Sequence, residues 1–206
     1  MACPVAGRES PTAESREVFA INRLSVSLNK LSEKGNKMKS IILIGMPGCG
    51  KSTLGVILAK ELGLDFVDTD IVIQQRTGEL LQQTLEKKGV NALLDEEESA
   101  ILSLDLSKPC IISTGGSAPL RGKSMEHLKR NGVCVYIKLS CEEIEKRINN
   151  RDTRGIAAEK NETLADIYNY RTPFYEKYAD MTVDCEGKDV AENVENIKAV
   201  LKSMDF

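Results

Sequence analysis

The chain has 206 residues, 41% hydrophobic and 29% charged, which is the size and make-up of one globular domain with at most an appendage. Its 28 basic and 31 acidic side chains leave a net charge of −3, with no basic footprint for nucleic acid. The longest apolar run, Ile41 to Met46 including Gly45, is too short to span a bilayer. The 6 cysteines form no Cys-x-x-Cys pair and have a single histidine, His127, for company, which argues against a zinc site and for reduced thiols.

Residues 1–37 read as an N-terminal extension. Pro4, Gly7, Ser10 and Pro11 punctuate its start, and Ile21, Leu24, Leu28 and Leu31 allow one short amphipathic helix. Its arginines and serines hint at organelle targeting, but its glutamates oppose that, so a dispensable extension of a cytoplasmic protein is expected. From residue 38 to 206, apolar runs alternate with helical stretches, the pattern of a parallel sheet covered by helices. The expected strands are Ser40–Gly45, Asp65–Asp68, Cys110–Thr114, Val133–Leu139 and Met181–Asp184. The expected helices are Lys51–Leu62, Asn91–Leu106, Gly122–Arg130, Cys141–Asn149, Thr163–Tyr178 and Val190–Ser203.

Gly45-Met-Pro-Gly-Cys-Gly-Lys-Ser-Thr53 fits GxxxxGK[ST] between a strand and a helix. Glycines in such a loop turn backbone N–H groups inward, and the helix N-terminus adds positive potential where phosphate oxygens sit. Gly48, Cys49, Gly50, Lys51, Ser52 and Thr53 are therefore the expected nucleotide cradle, with Lys51 for the β- and γ-phosphates and Ser52 for Mg²⁺. No Asn-Lys-x-Asp follows a later strand, which excludes a guanine reader. The strand CIIS ends without an acid, unlike those of mechanical ATPases. A thiol beside Lys51 at a helix start also predicts that Cys49 reacts readily as thiolate.

Beyond the loop, Asp68-Thr-Asp70, Gly115-Gly116, Arg147, Arg154 and Arg171 in Tyr170-Arg-Thr-Pro-Phe-Tyr175 follow in order. From about Met38 to Asp184 the chain resembles the shikimate kinase family. The resemblance implies an α/β three-layer P-loop kinase fold: a five-stranded parallel sheet, helices on both faces and a mobile lid near 150–160. It implies ATP and Mg²⁺, and transfer to a hydroxyl of a small metabolite, shikimate first, giving shikimate 3-phosphate and ADP. By the same resemblance, Asp68 holds Mg²⁺, Asp70 binds substrate hydroxyls and acts as base, and Gly115 and Gly116 face the substrate. Arg147 stacks on adenine, Arg154 reaches the transferring phosphate from the lid, and Arg171 grips the substrate carboxylate.

Plainer readings exist for each: Asp68 and Asp70 as strand end and helix cap, Arg147 as a last-turn dipole partner, Arg154 as a solvated loop charge, Arg171 as a surface ion pair. Two positions depart from the family pattern, and the family's glutamate is retained as Glu97. Leu94 stands where a second substrate arginine is usual, leaving Glu97 without its partner and facing any anionic substrate as a like charge. Ser117 replaces a third glycine. The remaining alternatives are a kinase of another hydroxylated acceptor (gluconate-like, a polyol or an amine), a nucleotide kinase, and an inactive nucleotide-binding relative. A monomer is expected, since one domain uses up the apolar residues.

Overall fold

The computed structural model describes residues 39–148, 155–158 and 162–203. The extension 1–37 lies outside the described residues. Five parallel strands form one sheet, β1 (Ser40–Ile44), β2 (Asp65–Asp68), β3 (Cys110–Ser113), β4 (Gly132–Lys138) and β5 (Met181–Asp184), in the order β2-β3-β1-β4-β5. Each expected strand is present, shifted by at most a residue at an end.

The sheet is most apolar at its centre, where β1 and β3 are buried along their whole length and β4 up to Lys138. Edge strands β2 and β5 leave residues half-exposed. Continuous Ile-Ile-Leu-Ile and Cys-Ile-Ile runs fit a sheet covered on both faces, where no residue side faces water. The covering helices are α1 (Lys51–Leu62), α2 (Thr69–Thr77), α3 (Leu81–Leu102), α4 (Gly122–Arg130), α5 (Cys141–Arg147), α6 (Leu164–Tyr178) and α7 (Val190–Lys202).

Two helical features differ from the sequence reading. Helix α2 was not expected, because Thr-Asp-Ile-Val-Ile is rich in β-branched residues of low helix propensity. Its caps hold it in place: the Asp68 side chain accepts from the Asp70 N–H, and Gly78 closes the other end at φ 70°. Helix α3 starts ten residues before the expected Asn91 and kinks at Gly89 (φ 82°), which hid one helix behind another. It stops at Leu102 rather than Leu106, where Ser103 turns its hydroxyl back onto Ala100 O and Asp105 caps Ser107 in a tight turn ahead of Pro109.

The order in which strands are added reverses at β1: β3 lies on one side of it and β4 on the other. Ligands of open α/β sheets bind beyond the carboxyl ends of the strands at such a point. The loops leaving β1, β2, β3 and β5 all converge there.

Candidate active site

A cavity of about 670 Å³ opens at the carboxyl ends of these strands. Its floor is the loop from Pro47 to Gly50 and the first turn of α1. Gly50 caps α1 at φ 101° with no side chain bonded to the helix start, so the first-turn N–H groups keep their capacity for an anion. Gly45 (φ 146°) cannot carry a Cβ, which would lie 2.7 Å from Ile137 O. Lys51 is only 7% exposed, and its ammonium donates to Gly45 O and Met46 O, both at 2.9 Å. The loop thus holds its own cation over the cradle. These are the features a triphosphate requires, so the residues fit ATP.

The hydroxyl of Ser52 lies 3.2 Å from that of Ser113, and Ser113 is in register with Asp68 on the neighbouring strand. Ser52 and Asp68 present hard oxygen donors along one line at the strand ends, the chemistry Mg²⁺ prefers. Asp68 also caps α2, so the helix-cap reading holds for it; one oxygen is used there. Asp70, in the first turn of α2, reaches the cavity wall, and Asp68 does not.

The opposite wall joins β3 to α3 and α6. Gly115 N–H donates to the buried Thr69 hydroxyl at 2.9 Å. Gly116 packs so tightly on Pro47 that a Cβ would sit 2.6 Å from the ring. Tyr175 donates its hydroxyl to Gly116 O at 2.6 Å and stacks on Tyr136, with ring centroids 5.3 Å apart. One turn earlier on α6, Arg171 is 2% exposed and donates to Ala157 O at 2.6 Å. It is therefore a buried cation of the cavity, which disposes of the surface ion-pair reading.

Glu97 corrects an expectation. It is not left without a partner: the Ser117 hydroxyl donates to its Oε2 at 2.5 Å. The family's glutamate thus meets the serine that stands in place of the third glycine. Glu97 is 3% exposed, and burial pushes its carboxyl up to about 7, with the nearby Asp70 charge adding to the rise and Ser117, Arg171 and Lys51 opposing it. Leu93, rather than Leu94, faces the cavity beside it. Neither Arg76 nor Arg121 replaces the missing guanidinium, for Arg76 donates to Ser99 and Arg121 pairs with Asp95 at 2.6 Å.

Cys49 also differs from expectation. Its sulfur is packed in the core at 1% exposure, so the reactive thiolate foreseen beside Lys51 is not accessible. Arg147 ends α5 at the cavity rim, where Glu143 accepts from it at 3.1 Å across one helical turn. Arg154 and residues 149–153 of the expected lid lie outside the described residues. Just beyond, Gly155 donates to Gln82 Oε1 at 3.0 Å, and Ile156 and Ala157 line the cavity. Sequence reasoning missed Lys188, Asp189 and Asn193, which close the rim beside Arg147. Their position after the last strand, at the same sheet edge as the phosphate loop, was the signal available.

The family profile described as SKI: Shikimate kinase matches residues 47–202. Shikimate kinase of Thermodesulfovibrio yellowstonii is 37% identical over 162 residues, 76% of this chain and 93% of that protein. A stretch making up 22% of Threonine synthase-like 1 of Pongo abelii is 34% identical to 77% of this chain. Among solved structures, shikimate kinase from Acinetobacter baumannii in complex with shikimate superposes with a TM-score of 0.76 at 27% identity, covering 84% of this chain and 98% of that one. With the strand order, the phosphate loop and the buried arginine all in hand, the chain belongs to the shikimate kinase family.

Proposed function

We propose that this protein transfers the γ-phosphoryl group of ATP to a hydroxyl of shikimate, giving shikimate 3-phosphate and ADP. Membership of the family supports the ATP-dependent phosphotransferase, and the buried Arg171 beside Asp70 and Gly115 carries the acceptor. A guanidinium held at 2% exposure in a polar cavity needs an anion, and a carboxylate is the one its planar fork fits best.

The roles follow from chemistry. Phosphoryl transfer is mostly positioning and charge neutralisation. Asp70 takes the proton of the acceptor hydroxyl as its oxygen bonds to the γ-phosphorus; the bond to the bridging oxygen breaks, and its electron pair leaves with ADP. Lys51 neutralises charge on the transferring group, the interaction that strengthens most toward the transition state. Gly48, Cys49, Gly50, Ser52 and Thr53 bind phosphate through backbone and hydroxyl, and Arg147 flanks the base at the rim. Ser52 and Asp68 would hold Mg²⁺, which supplies charge neutralisation of the phosphates. Arg154 is assigned the lid role by resemblance alone. We further infer a monomeric, cytoplasmic protein; no described helix is long and apolar enough to cross a membrane.

The test is ADP release with shikimate, ATP and Mg²⁺, with product identified by phosphorus NMR. A shikimate-dependent signal that Arg171→Ala abolishes supports the reading. ADP release that ignores shikimate refutes it.

A further inference from the structure

The cavity has two ends, and the strand order decides which of them takes the nucleobase. Asp70, Glu97 and Gly115 come from the segments that follow β2 and β3, on one side of β1. Arg147, Lys188, Asp189, Val190 and Asn193 come from the segments that follow β4 and β5, on the other. The phosphate loop leaves β1 between them. A nucleotide whose terminal phosphate points at the acceptor therefore lays its base over the β4–β5 side.

That side suits a flat ring. The Arg147 guanidinium is planar and of the kind that stacks on aromatic faces, and Val190, 42% exposed, adds an apolar side chain at the same rim. Neither distinguishes one purine from another. Two polar neighbours are already committed elsewhere: the Lys188 ammonium donates to Asp184 O at 2.7 Å, and Asp189 exchanges two hydrogen bonds with Glu192 in the capping box of α7. Asn193, four residues after that cap, is different. It is 4% exposed; its Nδ2 donates to Lys188 O at 3.4 Å, and its Oδ1 is buried with no hydrogen-bond partner among the described residues. Leaving such an oxygen unpaired is unfavourable, and a ligand donor that reaches it relieves the penalty.

We propose that Asn193 reads the purine: its Oδ1 accepts a hydrogen bond from the exocyclic amino group at C6 of adenine. A 6-oxopurine puts a second oxygen in that place, and two acceptors with no hydrogen between them repel. A free amide would turn over and offer Nδ2 to the oxo group. Here the bond to Lys188 O opposes that, since the turned amide would set its own oxygen against the Lys188 carbonyl. The pair Lys188 and Asn193 thus holds the selecting group as an acceptor. The inference rests on the nucleotide reading above and deepens it by naming the side chain that sets base choice.

The experiment is calorimetric titration of the full chain with ADP and with IDP, each with Mg²⁺. The two differ at the 6-position of the purine, amino against oxo, with the accompanying proton on N1. ADP should bind at least about tenfold more tightly, the scale of a hydrogen bond made in one case and opposed in the other. Asn193→Leu keeps the bulk and removes the amide; it should weaken ADP and bring the two dissociation constants to within about twofold of each other. Asn193→Asp keeps an oxygen acceptor and should retain the preference for ADP. Equal binding of ADP and IDP by the wild type overturns the proposal and leaves the nucleotide site standing. A loss of affinity in Asn193→Leu that is equal for both diphosphates overturns it too, because a merely structural role would give that result. If Asn193→Leu fails to fold, Asn193→Ser, which withdraws the oxygen, decides by the same ratio. Binding of neither diphosphate refutes the nucleotide reading together with this one.

Discussion

Replacing Glu97 by glutamine keeps the shape and the Ser117 hydrogen bond while removing a titrating group from a site that is 3% exposed. In the unfolded chain the carboxyl ionises at 4.5; in the folded protein it does so at about 7. Below pH 4.5 both states are protonated, and Glu97 costs little. Between 4.5 and 7 the unfolded chain gives up its proton while the folded protein keeps it, so stability falls as pH rises. Above 7 both are ionised and the loss is complete. At 1.36 kcal/mol per unit, the whole window is worth roughly 3 kcal/mol. Glutamine does not titrate, so Glu97→Gln lacks this loss. The groups facing Glu97 are Asp70, Arg171 and Lys51, and all three are unchanged in the variant. Urea denaturation followed by circular dichroism suits a chain with no tryptophan. From pH 4 to 8 the stability of wild type minus that of Glu97→Gln should drop by about 3 kcal/mol. A flat difference would refute the burial argument.

Lys51→Met should lower kcat by at least about a hundredfold in the ADP-release assay, because the lost charge acts mainly on the transition state. Tyr175→Phe removes a buried hydroxyl and leaves Gly116 O unpaired, which should cost about 1–3 kcal/mol in urea denaturation. Cys49 should be protected from alkylation in the folded protein, with or without ATP, and become reactive only in denaturant; mass spectrometry after brief treatment reads this directly.

The phosphate loop was legible because its chemistry is carried by neighbours in sequence: strand, glycines, Lys51-Ser52 and helix occupy one continuous stretch. The five strands were legible for a similar reason, since a sheet buried on both faces needs unbroken apolar runs. What escaped was built through space. The Glu97–Ser117 bond spans 20 residues of chain, and nothing in either segment announces the other. Asn193 joins the rim only because α7 follows β5 back across the sheet edge. Cys49 was misjudged because sequence reports that a thiol neighbours a lysine, while burial depends on how Gly45 and β4 pack over it. Helix α2 was hidden by the opposite effect, a weak local propensity overruled by two good caps.

Arg171 and Tyr175 sit one helical turn apart on α6, and the second of them grips the Gly116 carbonyl, whose residue is wedged against Pro47 of the phosphate loop. A rise of about 6 Å along a rigid helix thus sets the spacing between the anion grip and the loop that carries the phosphates. That strut is a ruler. The positions at which this chain departs from the family pattern, Leu94 on α3 and Ser117 in the loop after β3, form no part of that strut. Acceptor choice can therefore drift by exchange of side chains on α3 while the reaction distance stays fixed. A lineage with such a division can change what it phosphorylates without relearning how.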